Sequence, residues 1–152
     1  RSQKINGDTD PRIVYLIDIS GSMNTGLVDR ILNTIAKKMK KINKGLRYDI
    51  ITWNTRLGEH IKGIDPRKRV PKIHTGGGTE LANGIKYFKE NYDQNSILIV
   101  ASDFEDTLND WCTVLETMKN YSVWGFNYGR NNYDVRWPKN FNLRNFNNVK
   151  TY

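Results

Sequence analysis

Apolar residues fall along this chain in two alternating patterns, short β-branched runs and longer stretches with helical spacing. Ile13-Val14-Tyr15-Leu16-Ile17 is a continuous apolar run after Pro11, which reads as a strand buried on both faces. From Val28 the apolar positions Ile31, Leu32, Ile35, Met39 and Ile42 recur every three or four residues, which predicts a helix packed on a sheet and stopped at Gly45. Leu46 to Trp53 predicts a second strand. Asn54-Thr55-Arg56 then turns the chain into a short return strand reaching Ile61 or Ile64. The stretch from Asp65 to Pro71 is basic and bounded by prolines, and reads as a loop. Leu81, Ile85, Phe88 and Tyr92 predict a helix, Ile97 to Ala101 a buried strand, and Tyr121 to Asn127 a last core strand. Between those strands, Thr107 and Asp110 resemble a capping box opening a helix over Leu108 to Lys119. The segment after Gly129 is rich in Asn, with Tyr133, Trp137, Phe141, Phe146 and Tyr152 packing as an irregular tail and closing as an edge strand near Asn148 to Tyr152. This order predicts an α/β fold: an open, mostly parallel sheet with one antiparallel edge strand and helices on both faces.

Residues 1–10 read as a polar lead-in and 11–152 as a single domain, because 152 residues build one core but not two. No apolar run approaches the roughly 18 residues that span a bilayer, and residues 1–10 carry no leader pattern. The expectation is a cytoplasmic domain with no membrane partner. The net charge of +8 favours acidic partners, but on charge alone a lysine-rich solvated surface is the better account. Lys37, Lys38, Lys40, Lys41 and Lys44 also complement the carboxyl end of a helix dipole. The single cysteine, Cys112, excludes an internal disulfide or a multi-cysteine zinc site. Its place among Leu108, Trp111, Leu115 and Met118 predicts a buried structural thiol.

The candidate chemistry lies where the apolar strands end. Asp18, Ser20 and Ser22 follow the first strand on one tight turn, at the edge where open α/β sheets bind ligands. Oxygen ligands of that kind suit a small hard cation such as Mg²⁺, which accepts an incomplete protein shell. Gly76-Gly77-Gly78 brings Thr79 to a helix amino terminus, and Asp103 follows the Ile97 strand. Ser102, Glu80, Glu105 and Asp106 read as capping or supporting groups, and His74 as a surface or packing residue.

Asp18-x-Ser20-x-Ser22, a threonine after a glycine-rich loop and an aspartate ending a core strand resemble the von Willebrand factor A (vWA) family and its metal-ion-dependent adhesion site (MIDAS). The likeness runs from Ile13 to Asn127, leaving residues 128–152 as a separate aromatic segment. The resemblance implies a Rossmann-like sheet and Mg²⁺ or Mn²⁺ bound by Ser20, Ser22 and Thr79, with Asp18 and Asp103 acting directly or through water. It also implies a binding module, not an enzyme, whose metal accepts an Asp or Glu side chain of a protein partner. Two carboxylates repel each other until a divalent ion neutralises them, and neutral hydroxyls leave that ion electrophilic. The family's usual Thr-Asp-Gly is here Ser102-Asp103-Phe104, and the basic proline loop stands in place of a helix. Both departures resemble the compact intracellular members found beside AAA+ ATPases or in bacterial and phage genomes.

Two other function classes remain open. A basic domain with a structural metal would bind single-stranded nucleic acid through Arg67 to Arg69 and through Arg136, Trp137, Lys139, Arg144 and Phe146. A metal-dependent phosphoryl-transfer enzyme would use Asp18 as nucleophile, although Ser20 stands where such sites place a second acid. The triple glycine lacks the Gly-Lys-Ser/Thr ending of a P-loop.

Overall fold

A strand can be apolar throughout only where it has neighbours on both sides and helices on both faces. Ile13–Asp18 (β1) meets that condition, with every side chain from Val14 onwards buried. It lies between Tyr48–Trp53 (β2) and Ile97–Ser102 (β4), parallel to both. The computed structural model describes residues 12–42, 46–105, 108–130 and 137–146. Their six strands follow the order β3-β2-β1-β4-β5-β6, where β3 is Leu57–Ile64, β5 is Ser122–Asn127 and β6 is Phe141–Asn145. Only the β2–β3 hairpin is antiparallel, so the return strand is the antiparallel edge that the sequence predicts.

Among the described residues, three α-helices cover the sheet. Thr25–Ile42 (α1) packs Val28, Ile31, Leu32, Ile35 and Met39 on one face, against Tyr15, Ile17, Tyr48 and Ile50. Leu81–Asn91 (α2) and Leu108–Glu116 (α3) share the other face, where Phe88, Trp111 and Leu115 meet Leu16, Val100 and Val123. Burying one such side chain contributes about 1.5–3 kcal/mol, so these two layers hold the sheet between them. The loop from Asp65 to Pro71 runs beside α1 without forming a helix, and Val70 and Ile73 pack into the α1 layer.

Two expectations need correction. The tail expected to be irregular forms a strand, β6, five residues long and parallel to β5, which begins where Phe141 and Trp137 dock on Trp111. Cys112 is half-buried, since Trp111, Leu115 and Met118 take the inward positions of α3 and Cys112 stands at its flank. Burial and Glu116 push its thiol pKa up. The lead-in at 1–10, Lys44, Gly45, Asp106, Thr107, Tyr133, Arg136 and the strand proposed for 148–152 lie outside the described residues.

Strand order reverses at β1: β2 lies on one side of it and β4 on the other. The loops leaving β1 and β4 therefore diverge, opening a crevice at the carboxyl edge of the sheet.

Candidate metal site

Asp18 is the last residue of β1 and is fully buried. A lone buried carboxylate is costly unless hydrogen bonds satisfy it. Both of its oxygens are satisfied from within the chain: the Ser20 backbone N–H donates to Oδ1 at 2.8 Å, and the Ser102 hydroxyl donates to Oδ2 at 2.6 Å. Burial raises the Asp18 pKa, and the Asp103 charge adds to the rise, while the bonds from Ser102 and Ser20 oppose it. The two aspartates thus repel each other, a cost that a divalent cation between them would remove.

Ser20 precedes a single 3₁₀ turn, Gly21–Met23, whose Met23 is buried and anchors the turn in the α1 layer. The turn leaves Ser22 exposed at the mouth of the crevice. Its hydroxyl donates to Asp103 Oδ2 at 2.6 Å and lies 3.3 Å from the Ser20 hydroxyl. Asp18, Ser20, Ser22 and Asp103 are therefore joined in one continuous chain of hydrogen bonds.

Thr79 reaches the same place through the backbone. The Gly76 N–H donates to Ile19 O at 2.8 Å, and the Gly21 N–H donates to Gly77 O at 2.9 Å. These bonds fasten the glycine loop onto the turn after β1. Gly77 has a left-handed φ of 81° and lies so close to Asn54 that an added Cβ would be 3.3 Å from its side-chain nitrogen. A residue other than glycine would be strained there. Helix α2 begins at Leu81, with Glu80 at the cap position and no side-chain capping bond, so Thr79 stands just before the helix amino terminus, as its sequence position implies. The Thr79 hydroxyl is buried and has no hydrogen-bond partner among the described residues. A buried hydroxyl without a partner costs free energy, and a cation would satisfy it.

Three supporting residues carry no ligand signature in the sequence. Asn54 donates to Gly76 O at 3.1 Å, and its backbone carbonyl accepts the Glu80 N–H at 2.7 Å, so it holds the glycine loop from beneath. Gly129 packs so tightly that an added Cβ would stand 2.4 Å from Asp103 O. Phe104 has a left-handed φ of 55°, the backbone a glycine adopts readily, in the position where the family pattern places one. Its ring is buried and stacked on Trp111 at 5.0 Å, which holds the turn in this conformation. Ser102 proves to be the donor that fixes Asp18. Glu105 and His74 are exposed, and Glu80 accepts only the Asn83 amide among the bonds described.

Among the described residues, no three His, Cys, Asp or Glu side chains gather as a metal cluster would require. The residues that the sequence singles out would offer two carboxylates and three hydroxyls, all oxygen, a set that suits a hard cation better than zinc. A groove of about 990 Å³ between α2 and α3 starts at Thr79 and Glu80 and continues past Asn83, Lys86, Asp110 and Thr113.

Residues 4–123 match the protein family described as VWA domain containing CoxE-like protein. The YehP protein of Escherichia coli (strain K12) is 29% identical over 98 residues, covering 61% of this chain. The match covers 25% of YehP, so the chain spans about a quarter of that relative's length. The VWA domain of SpRpn10 superposes with a TM-score of 0.60 at 10% identity, over 89% of this chain and 87% of its own. The manganese-loaded TRAP protein of Plasmodium vivax does so with a TM-score of 0.56 at 16% identity, over 92% of this chain and 70% of its own. Identities this low establish a common fold and nothing finer.

Proposed function

The chain belongs to the VWA family of CoxE-like proteins, whose fold often mediates metal-dependent protein interactions, and from that premise we propose that it is a metal-dependent docking module. Asp18, Ser20, Ser22, Thr79 and Asp103 would hold Mg²⁺ or Mn²⁺. The bound ion would supply an electrophilic point for the carboxylate of a partner's Asp or Glu. The observation that carries this reading is the hydrogen-bonded chain that joins Asp18, Ser20, Ser22 and Asp103 at the carboxyl edge of the sheet, with the glycine loop before Thr79 fastened to the same turn. The Plasmodium vivax relative in its manganese-loaded form is compatible with it.

The protein's own residues prepare the site. Ser102 and the Ser20 N–H orient Asp18, and Phe104 and Gly129 set the height of Asp103. The groove between α2 and α3 offers the partner's chain a place to lie next to its anchoring acid. In this reading Asp18 serves to hold the ion, directly or through water, and the domain is a binding module and not an enzyme. Among the described residues no helix is long and apolar enough to cross a membrane, and a cytoplasmic location forms part of the same proposal.

The test is a calorimetric titration of chelator-treated protein with Mg²⁺ and Mn²⁺, beside Ser20→Ala and Asp103→Ala. One saturable site, lost in both variants, is expected. Proton relaxation of acetate in the presence of the Mn²⁺-loaded domain then reads the open coordination position. Absence of metal binding into the millimolar range would overturn the site. Metal binding without any effect on acetate would overturn the docking chemistry.

A further inference from the structure

One helix cannot cover a six-stranded sheet: the layer under α1 takes in side chains of β1, β2 and β4, with Ile99 and Tyr128 packed at its border. The Tyr15 hydroxyl touches Met39 Sδ at 3.7 Å, so the row of side chains through Tyr15 passes under the last turns of α1. Parallel register carries that row from Tyr15 to Ile99 and on to Trp124. Neighbouring strands lie about 4.8 Å apart, so Trp124 stands roughly 10 Å to the side of the helix footing. It is 37% exposed and stacks on no other ring among the described residues. The next positions on this face towards the carboxyl edge are Phe126, Tyr128 and Phe146, all half-buried. Phe146 meets Phe126 edge-on at 5.0 Å and lies flat on Tyr128 at 5.2 Å. Arg144 is exposed beside Phe126 in the register. Among the described residues, this part of the sheet face is thus an aromatic floor that no helix covers.

Its border is cationic. At about 100° per residue, Lys38 and Ile42 occupy the flank of α1 that faces this floor, and Lys37 and Lys40 turn to the opposite flank; all four are exposed. On that opposite flank a groove of about 650 Å³ between α1 and the basic loop is lined by Arg30, Lys37, Lys40, Arg67 and Lys68, with no carboxylate in its lining. Asp65, the nearest acid described on that loop, is paired with Arg67 at 3.0 Å. Exposed Lys41 joins the two flanks across the back of the helix. Exposed cations therefore run from the groove over α1 to its other flank.

The geometry points to single-stranded nucleic acid as the occupant. Bases stack on Trp124 and beside Phe146, and the phosphates follow Lys38 and Lys41 towards the groove. A duplex keeps its bases stacked inside and gains nothing from the rings. An acidic protein would use the lysines but not a flat aromatic floor. Half-buried rings on a sheet do not protrude far enough to enter a lipid layer. Trp124 lies three positions before Asn127, the register partner of Ser102, and stacking on it does not depend on a bound metal.

The experiment is fluorescence anisotropy with labelled ~12-nucleotide oligo(U) and oligo(dT) in chelator at several salt concentrations, a length within known site sizes. Saturable binding with a steep salt dependence is expected, and either sugar supports the proposal. Trp124→Ala should weaken binding about tenfold, since one stacked base is worth 1–3 kcal/mol. Lys38→Glu with Lys41→Glu should flatten the log–log salt slope by about 0.7 for each phosphate that is no longer neutralised. Circular dichroism checks that both variants fold. The proposal is overturned by absence of binding at low salt, or by an unchanged affinity in Trp124→Ala. Equal affinity for duplex DNA, polyglutamate or phosphatidylserine vesicles would overturn it too.

Discussion

Replacing Phe104 separates two opposing contributions at the turn that carries Asp103. The ring is 1% exposed and stacks on Trp111, so truncation to alanine should cost about 3–5 kcal/mol. The backbone at φ 55° disfavours any residue with a Cβ by roughly 1–2 kcal/mol, a cost that glycine avoids. Glycine also loses about 0.5–1 kcal/mol more chain entropy on folding than alanine. Phe104→Gly should therefore be destabilised relative to the wild type, yet remain more stable than Phe104→Ala by about 0.5–1 kcal/mol. Elsewhere in a folded domain glycine is normally the weaker of the two. For a domain of this size about 2–4 °C accompanies each kcal/mol, so the alanine variant should melt about 6–20 °C lower. Urea unfolding of the three proteins at one pH reads the order directly. If alanine proves as stable as glycine, the left-handed turn is not strained and the reasoning fails. If the glycine variant exceeds the wild type, burial of the ring contributes less than the backbone costs.

Gly129→Ala should force Asp103 to shift, because the new methyl would stand 2.4 Å from its carbonyl oxygen; a loss of about 1–3 kcal/mol in stability and weaker Mn²⁺ binding by calorimetry are expected. Asn54→Ala removes the amide that holds Gly76 and should lower Mg²⁺ affinity while leaving the wild-type far-UV spectrum intact. Saturating Mg²⁺ should raise the melting temperature of the wild type by mass action and leave that of Ser22→Ala unchanged, as read by calorimetric scans. His60 sits between the Tyr87 and Tyr92 hydroxyls, at 2.9 and 2.6 Å, and its pKa is lowered, first by burial and then by Lys62. A histidine whose folded pKa is depressed contributes stability that is fully present above its unfolded value near 6.5 and is lost as pH falls through the folded one. The melting temperature should therefore fall more between pH 7 and pH 5 in the wild type than in His60→Phe, and parallel curves would refute this.

The elements were legible because apolar period is a local property of the chain. The run from Ile13 to Ile17 and the three- and four-residue spacing after Val28 carry β1 and α1 without reference to anything distant. The sites of Asp18, Ser20, Ser22, Thr79 and Asp103 at element ends were legible for the same reason, and the fold brings four of them into one hydrogen-bonded chain. The supporting residues were hidden. Ser102 reaches Asp18 across 84 positions, and Gly129 matters only because the chain after β5 presses on Asp103. Nothing local distinguishes that glycine from any turn glycine.

The tryptophans divide in the same way. By sequence, Trp137 belongs to the tail offered for stacking on nucleic acid and Trp124 to the last core strand. In the fold Trp137 packs between Trp111 and Phe141, while Trp124 is left on the part of the sheet face that no described helix covers. The alternation of side chains along a strand is intrinsic to the chain, but which face of a sheet receives a helix is not. That depends on where α1, α2 and α3 find room, and it is settled only when the register of all six strands is set together.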